Sequence, residues 1–161
     1  IISMDKVNLG KSASNKIDVS KNDEFLLSQH QILPEFAENL PPSCPPEEAV
    51  TPAQREVWRF VPHEKLEELE EKDFFSYAAL GKQPYSQYNV CPCRWSSCSV
   101  FSVPTPLEGL PKLRHKYVAT LSINKFSGKI LQKESHIDFW RYKNFSPLEN
   151  VVNVFRKDEI K

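Results

Sequence analysis

Hydrophobic and polar positions follow two different regimes along the chain. From residue 55 onward, short runs of aromatic and β-branched residues recur with the two-residue period of strands. Glu56-Val57-Trp58-Arg59-Phe60-Val61 is the first, ended by Pro62. Ser99-Val100-Phe101-Ser102-Val103 is the second, and Tyr117-Val118-Ala119-Thr120-Leu121-Ser122-Ile123 is the third and most regular. Ser127-Gly128 is a turn signal, after which Lys129-Ile130-Leu131-Gln132 reads as a returning strand, so these two runs are predicted to pair as a hairpin. His136 to Tyr142 alternates again, and Val151-Val152-Asn153-Val154-Phe155 reads as a closing strand.

Helical signals are shorter. His63 to Asp73 is rich in Glu, Lys and Leu, with Leu66 and Leu69 three apart, which predicts a short amphipathic helix with an acidic face. Phe74 to Leu80 is apolar enough to be buried, with Gly81 placed as a C-terminal cap. Thr105-Pro106-Leu107-Glu108 and Ser146-Pro147-Leu148-Glu149 each put a hydroxyl before a proline and a Glu three residues on, the signature of a capped helix start. The β-rich run after Ser146 reduces the second to a turn. The expected fold is α+β: a mainly antiparallel sheet of about five or six strands with two or three short helices, preceded by an extended N-terminal arm.

The first third behaves differently. Residues 1–23 are polar, without period or aromatics. Residues 24–40 then carry Phe25, Leu26, Leu27, Ile32, Leu33 and Phe36, interrupted by Pro34, on a segment too short to build its own core. These are candidate partner-binding anchors, to be laid on the following domain, another protein or a second copy of the chain. Residues 41–52 hold five prolines and read as a stiff spacer. The division is therefore 1–52, arm and Pro-rich spacer, and 53–161, a small α+β domain.

Charge sharpens that division. The chain is neutral overall, with 21 basic and 21 acidic residues. Residues 75–161 carry thirteen basic and six acidic side chains, whereas both preceding stretches are net acidic. This suggests attraction within or between chains, and leaves room for nucleic acid on the basic half through Lys112, Arg114, His115, Lys116, Arg94-Trp95 and Arg141-Tyr142-Lys143. No apolar stretch approaches a membrane span, and the first residues lack the apolar run of a secretory signal. A cytoplasmic setting is expected.

Cys91-Pro92-Cys93-Arg94-Trp95-Ser96-Ser97-Cys98 gathers three thiols. A structural zinc on Cys91, Cys93 and Cys98, with Cys44, His136, His115 or His63 as fourth ligand, is one reading. A disulfide such as Cys93 to Cys98 is another, and ordinary thiols in a reducing compartment are the third. No motif calls for any other cofactor. His136 and Asp138 sit two apart beside Trp140, so on a strand they share a face, as an acid–base pair would. His63 reads as a helix-start cap, and His30 has no chemical neighbour. Glycine-rich phosphate loops, His-Glu-x-x-His and nucleophile-elbow motifs are absent.

Two resemblances follow. Arg59 on an early strand and Phe74-Phe75-Ser76 after it resemble ADP-ribosyltransferase-like enzymes and toxin domains. That resemblance implies a catalytic Arg59, Ser76 and a later-strand Glu, for which Glu134 is best placed. More broadly, Pro41-Pro42-Ser43-Cys44-Pro45-Pro46-Glu47-Glu48-Ala49, then Trp58-Arg59-Phe60-Val61, Asp73-Phe74-Phe75-Ser76, Leu80-Gly81-Lys82 and Ser99-Val100-Phe101 resemble small bacterial proteins of unassigned function. That second resemblance implies a bacterial cytoplasm and no activity. The expectation is a non-enzymatic protein-interaction or regulatory module whose arm docks on a partner or a second subunit. The alternatives are an ADP-ribosyltransferase-like enzyme, or a nucleic-acid-binding or zinc-stabilised module.

Overall fold

The computed structural model describes residues 34–84, 89–103, 116–156 and 158. Phe25, Leu26, Leu27, Ile32 and Leu33, His30, the Thr105 helix start and the cluster Lys112, Arg114 and His115 lie outside the described residues.

The six predicted strands are present as β1 (Arg55–Val61), β2 (Cys98–Phe101), β3 (Tyr117–Ile123), β4 (Gly128–Lys133), β5 (His136–Arg141) and β6 (Val151–Arg156). They form one sheet in the order β4-β5-β2-β1-β3-β6, with every neighbouring pair antiparallel. The β3–β4 hairpin is not formed. The turn itself is real: the Ser127 N–H donates to the Asn124 carbonyl at 3.0 Å, and the Phe126 N–H donates to Asn124 Oδ1 at 2.8 Å. However, β3 pairs along its whole length with β1, and β6 occupies its other edge. β4 instead pairs with β5 around a two-residue turn, Glu134-Ser135, where Glu134 takes a φ of 58°.

That connectivity bends the sheet. In a flat sheet β3 and β4 would lie about 19 Å apart, four gaps of about 4.8 Å each. The chain between Ile123 and Gly128 is folded into a hydrogen-bonded turn and cannot span that distance. The sheet therefore rolls, bringing β4 to the start of β1, where Arg55 Nη1 donates to Gln132 Oε1 at 3.1 Å. The inside of the roll is the core: Val57, Val61, Cys98, Val100, Leu121, Ile123, Ile130, Ile137 and Phe139 are buried and packed together. Leu69, Phe74 and Phe145 join this cluster from the connecting segments.

The helical content is smaller than expected. Among the described residues there is one short helix, α1 (Pro92–Trp95), and three 3₁₀ turns, Leu66–Glu68, Glu71–Phe74 and Leu148–Asn150. The predicted 63–73 helix is replaced by the first two turns. Leu66 is exposed and only Leu69 and Phe74 reach the core, too narrow an apolar stripe to hold an α-helix. Carboxylates close these turns instead, Asp73 Oδ2 accepting from the Glu70 N–H at 2.8 Å. The Ser146 motif gives a single turn before β6, with Ser146 Oγ accepting from the Glu149 N–H at 3.4 Å.

The Pro-rich stretch read as a spacer lies against the sheet, and one compact unit runs from Glu35 to Lys161. The Ala37 N–H donates to the Arg141 carbonyl at 3.0 Å, and the Lys143 N–H donates to the Glu35 carbonyl at 2.7 Å. Val50 exchanges both backbone bonds with Ile130, at 2.8 and 2.9 Å. Between these two attachments a disulfide joins Cys44 to Cys93. No helix among the described residues is long and apolar enough to cross a membrane.

Candidate functional site

Two arginines on the inward-facing register of the sheet organise one end of the roll. Arg59 stands between Val57 and Val61 on β1. Its Nε donates to the Asp73 carbonyl at 3.0 Å, Nη1 to the Ser99 carbonyl at 2.8 Å and Nη2 to the Phe75 carbonyl at 3.4 Å. The guanidinium thus fastens the 3₁₀ segment to β2. Ser76, next along the chain, is buried, and its hydroxyl and N–H both donate to the carboxylate of Glu38. The Ala79 N–H donates in turn to Ser76 Oγ at 3.0 Å.

Arg141 ends β5 beside this cluster. Its Cζ lies 5.7 Å from the centre of the Phe75 ring, and Nη1 reaches the Phe145 carbonyl at a long 3.4 Å. Its Nε is buried and finds no acceptor among the described residues. No carboxylate there forms a salt bridge with it, because Glu38 is turned to Ser76. Arg141 lines an open cleft of about 380 Å³ together with Ala37, Glu38, Phe75, Ala78 and Ala79. The Ala78 N–H donates to the carbonyl of Trp95 at 3.2 Å, so α1 stands directly beside the cleft. Trp95 stacks at 4.8 Å on Tyr77, which is half exposed, as is Leu80. A volume in the small-ligand range, partly apolar walls and a few convergent polar groups, here Arg141, Glu38 and Asn39, are the usual properties of a binding site.

The opposite, outward face of the sheet carries His136 and Asp138. His136 Nε2 lies 3.1 Å from Ser99 Oγ, and its ring meets Phe101 edge-on at 5.4 Å. Asp138 is buried and held by Arg94 Nε at 2.9 Å and the Ser97 hydroxyl at 2.8 Å. It stands 4.0 Å from His136 Nδ1, beyond hydrogen-bond length. Burial holds the imidazole below its ordinary value, against the attraction of Asp138 and with the help of Arg94. The pair shares a face, as its spacing predicts, and its partners tie α1 to β2 and β5.

Of the residues read against an ADP-ribosyltransferase pattern, Arg59 and Ser76 adjoin one another. Glu134 is exposed at the tip of the β4–β5 turn, and the carboxylate at Ser76 belongs to Glu38. The cysteines part company. Cys93 is bonded to Cys44 rather than Cys98, Cys98 is buried in the core and Cys91 is exposed. Burial pushes the Cys98 thiol up, away from the thiolate a metal needs. No group of three or more His, Cys, Asp or Glu able to hold a metal is found among the described residues. Phe36 packs on Tyr142 at 5.1 Å, so this one of the six apolar anchors belongs to the domain. Glu38 carries no recognisable motif, and Arg141 reads only within the basic Arg141-Tyr142-Lys143 cluster as a nucleic-acid candidate. The signal they share is a charge set in an apolar run, Glu38 between Phe36 and Leu40 and Arg141 after Phe139-Trp140. No protein-family model, curated protein or solved structure matches this chain.

Proposed function

We propose that this chain is a protein-interaction module, and that the cleft beside Arg141 is the surface by which residues 35–161 engage a partner. One observation carries the reading: an open cleft of about 380 Å³ lined by Ala37, Phe75, Ala78 and Ala79, with Glu38, Asn39 and the under-satisfied Arg141 guanidinium on its wall and the exposed Tyr77 next in the chain to Ala78. The Ser76 hydroxyl beside it is buried, donates to the Glu38 carboxylate and accepts from the Ala79 N–H, so its hydrogen bonds are used within the fold, which favours binding over chemistry. The apolar anchors Phe25, Leu26, Leu27, Ile32 and Leu33 extend the same reading to the arm, as a second docking element for a partner or another copy.

The test is selection of a random peptide library on the immobilised protein, repeated with Ala79→Trp. Ala79 is exposed on the cleft wall, so an indole there fills the cleft without disturbing the core. The expected result is a set of peptides whose affinity falls about tenfold or more in the variant. Equal binding by both proteins, or no peptide selected, overturns the cleft as a docking surface.

A further inference from the structure

The Pro-rich stretch is fastened to the domain by a single side-chain bond. Residues 39–49 form a strap between two backbone attachments, the Ala37 bond to Arg141 and the Val50 bridge to Ile130. Four of its eleven residues are proline and carry no N–H donor. Among the described residues, the only covalent or hydrogen-bonded tie from the strap to the rest of the domain joins Cys44 to Cys93. Both cysteines are half-buried, so their disulfide lies within reach of solvent rather than in the core, and the neighbouring Cys91 is exposed. Cutting the bond leaves the hydrogen bonds of the sheet and its core packing in place.

What the strap covers is a thiol. Phe36, Glu38 and Leu40 face one small void together with Cys98, Phe74 and Phe139, so the strap and its near attachment close over Cys98, which is 4% exposed. Ala37, Glu38 and Asn39 at the same end line the cleft beside Arg141. We propose that the Cys44–Cys93 bond is a redox latch: a dithiol reductant opens it, the strap lifts at Leu40, and Cys98 becomes an accessible thiol while the sheet stays folded. A thiolate of the dithiol attacks one sulfur of the bond, forming a mixed disulfide and releasing the other cysteine. Its second thiol then displaces the first. The dithiol leaves as a disulfide and Cys44 and Cys93 end as two thiols, two electrons and two protons having passed. The latch stands apart from the docking reading. Its further consequence, weaker docking in the cleft as the wall at residues 37–39 loosens, rests on that reading.

The test compares the full chain in its oxidised form with the same chain after excess dithiothreitol under native conditions and desalting. Alkylation by N-ethylmaleimide is followed cysteine by cysteine in a mass spectrometer, and amide exchange of β3 reports whether the sheet is intact. In the oxidised chain Cys91 should react quickly and Cys98 slowly. After reduction Cys44 and Cys93 should react, Cys98 should react at least about tenfold faster than before, and β3 should keep its protection. Reoxidation should restore the slow rate, and Cys44→Ser should make Cys98 fast with or without dithiothreitol. A Cys98 rate untouched by reduction, with Cys44 and Cys93 labelled, overturns the latch, because the strap then stays in place without its bond. So does a bond that dithiothreitol leaves intact. Acceleration at Cys98 together with loss of protection in β3 also overturns it, since the disulfide is then a staple for the whole fold. Peptides from the selection with Ala79→Trp should bind the reduced chain several-fold more weakly. Equal binding, with Cys98 fast, overturns the link to the cleft and leaves the latch standing. If that selection yields no peptide, the docking reading falls and the Cys98 rates decide the latch alone.

Discussion

Arg59 and Arg141 occupy comparable places, each on an inward position of a strand flanking β2 and each close to the 3₁₀ segment, yet they are treated oppositely. Arg59 meets three backbone carbonyls and fastens the Asp73–Phe75 segment to β2. Arg141 meets one carbonyl at the limit of hydrogen bonding and fronts a cleft. A saturated guanidinium is a structural staple. An unsaturated one beside open volume adds little to the fastening of the fold, and it is the group on which the proposed docking reading rests.

The largest effect should come from breaking the Arg59 staple. Arg59→Met strands three carbonyls and is expected to cost about 3 kcal/mol in urea unfolding. Arg141→Gln should cost less than about 1 kcal/mol, since it removes one long bond and relieves an unmet donor. Equal losses from the two variants would erase the distinction between them.

Removing the disulfide comes next. Cys44 and Cys93 are 49 residues apart, and closing a loop of that size stabilises by about 2 to 4 kcal/mol. Cys44→Ser should lower the unfolding midpoint accordingly. Its local effect should fall on one side only: the bond ties down the segment that supplies Ala37 and Glu38 to the cleft. Amide exchange at Ala37 should quicken while that of β1 residues around Arg59 does not. Uniform quickening would mean that the two arginine neighbourhoods open as one unit.

The smallest effect belongs to the outward face. His136 titrates below its ordinary value because burial opposes its charge, so the folded chain favours the neutral ring. Its contribution is present above about pH 6.5 and is lost as the pH falls through that range towards the lower folded value. His136→Gln should flatten the decline in stability between about pH 7 and 5 without altering the cleft. An unchanged slope would assign the decline to other groups.

The strands were legible because their period of two is a local property of the sequence. Val57, Val100, Leu121, Ile130, Ile137 and Val154 all fall where alternation places them against the core. Pairing was not legible. The Asn124–Ser127 turn satisfies its own hydrogen bonds whether or not the flanking strands meet, and both edges of β3 are taken by strands distant in sequence. The helix expected at 63–73 failed for a related reason, because its heavy charge gave the right propensity and only the packing showed how little apolar surface stood behind it.

The site follows the same division. Sequence alone determined six strands, their inward residues and the shared face of His136 and Asp138, since each depends on residues within a few positions of one another. Tertiary structure alone decided that Glu38 turns to Ser76, that Cys44 bonds Cys93, and that Arg141 is left with donors to spare. Those outcomes join residues 38 to 49 positions apart, or depend on where a wall of the cleft stands, and no local pattern carries such distances.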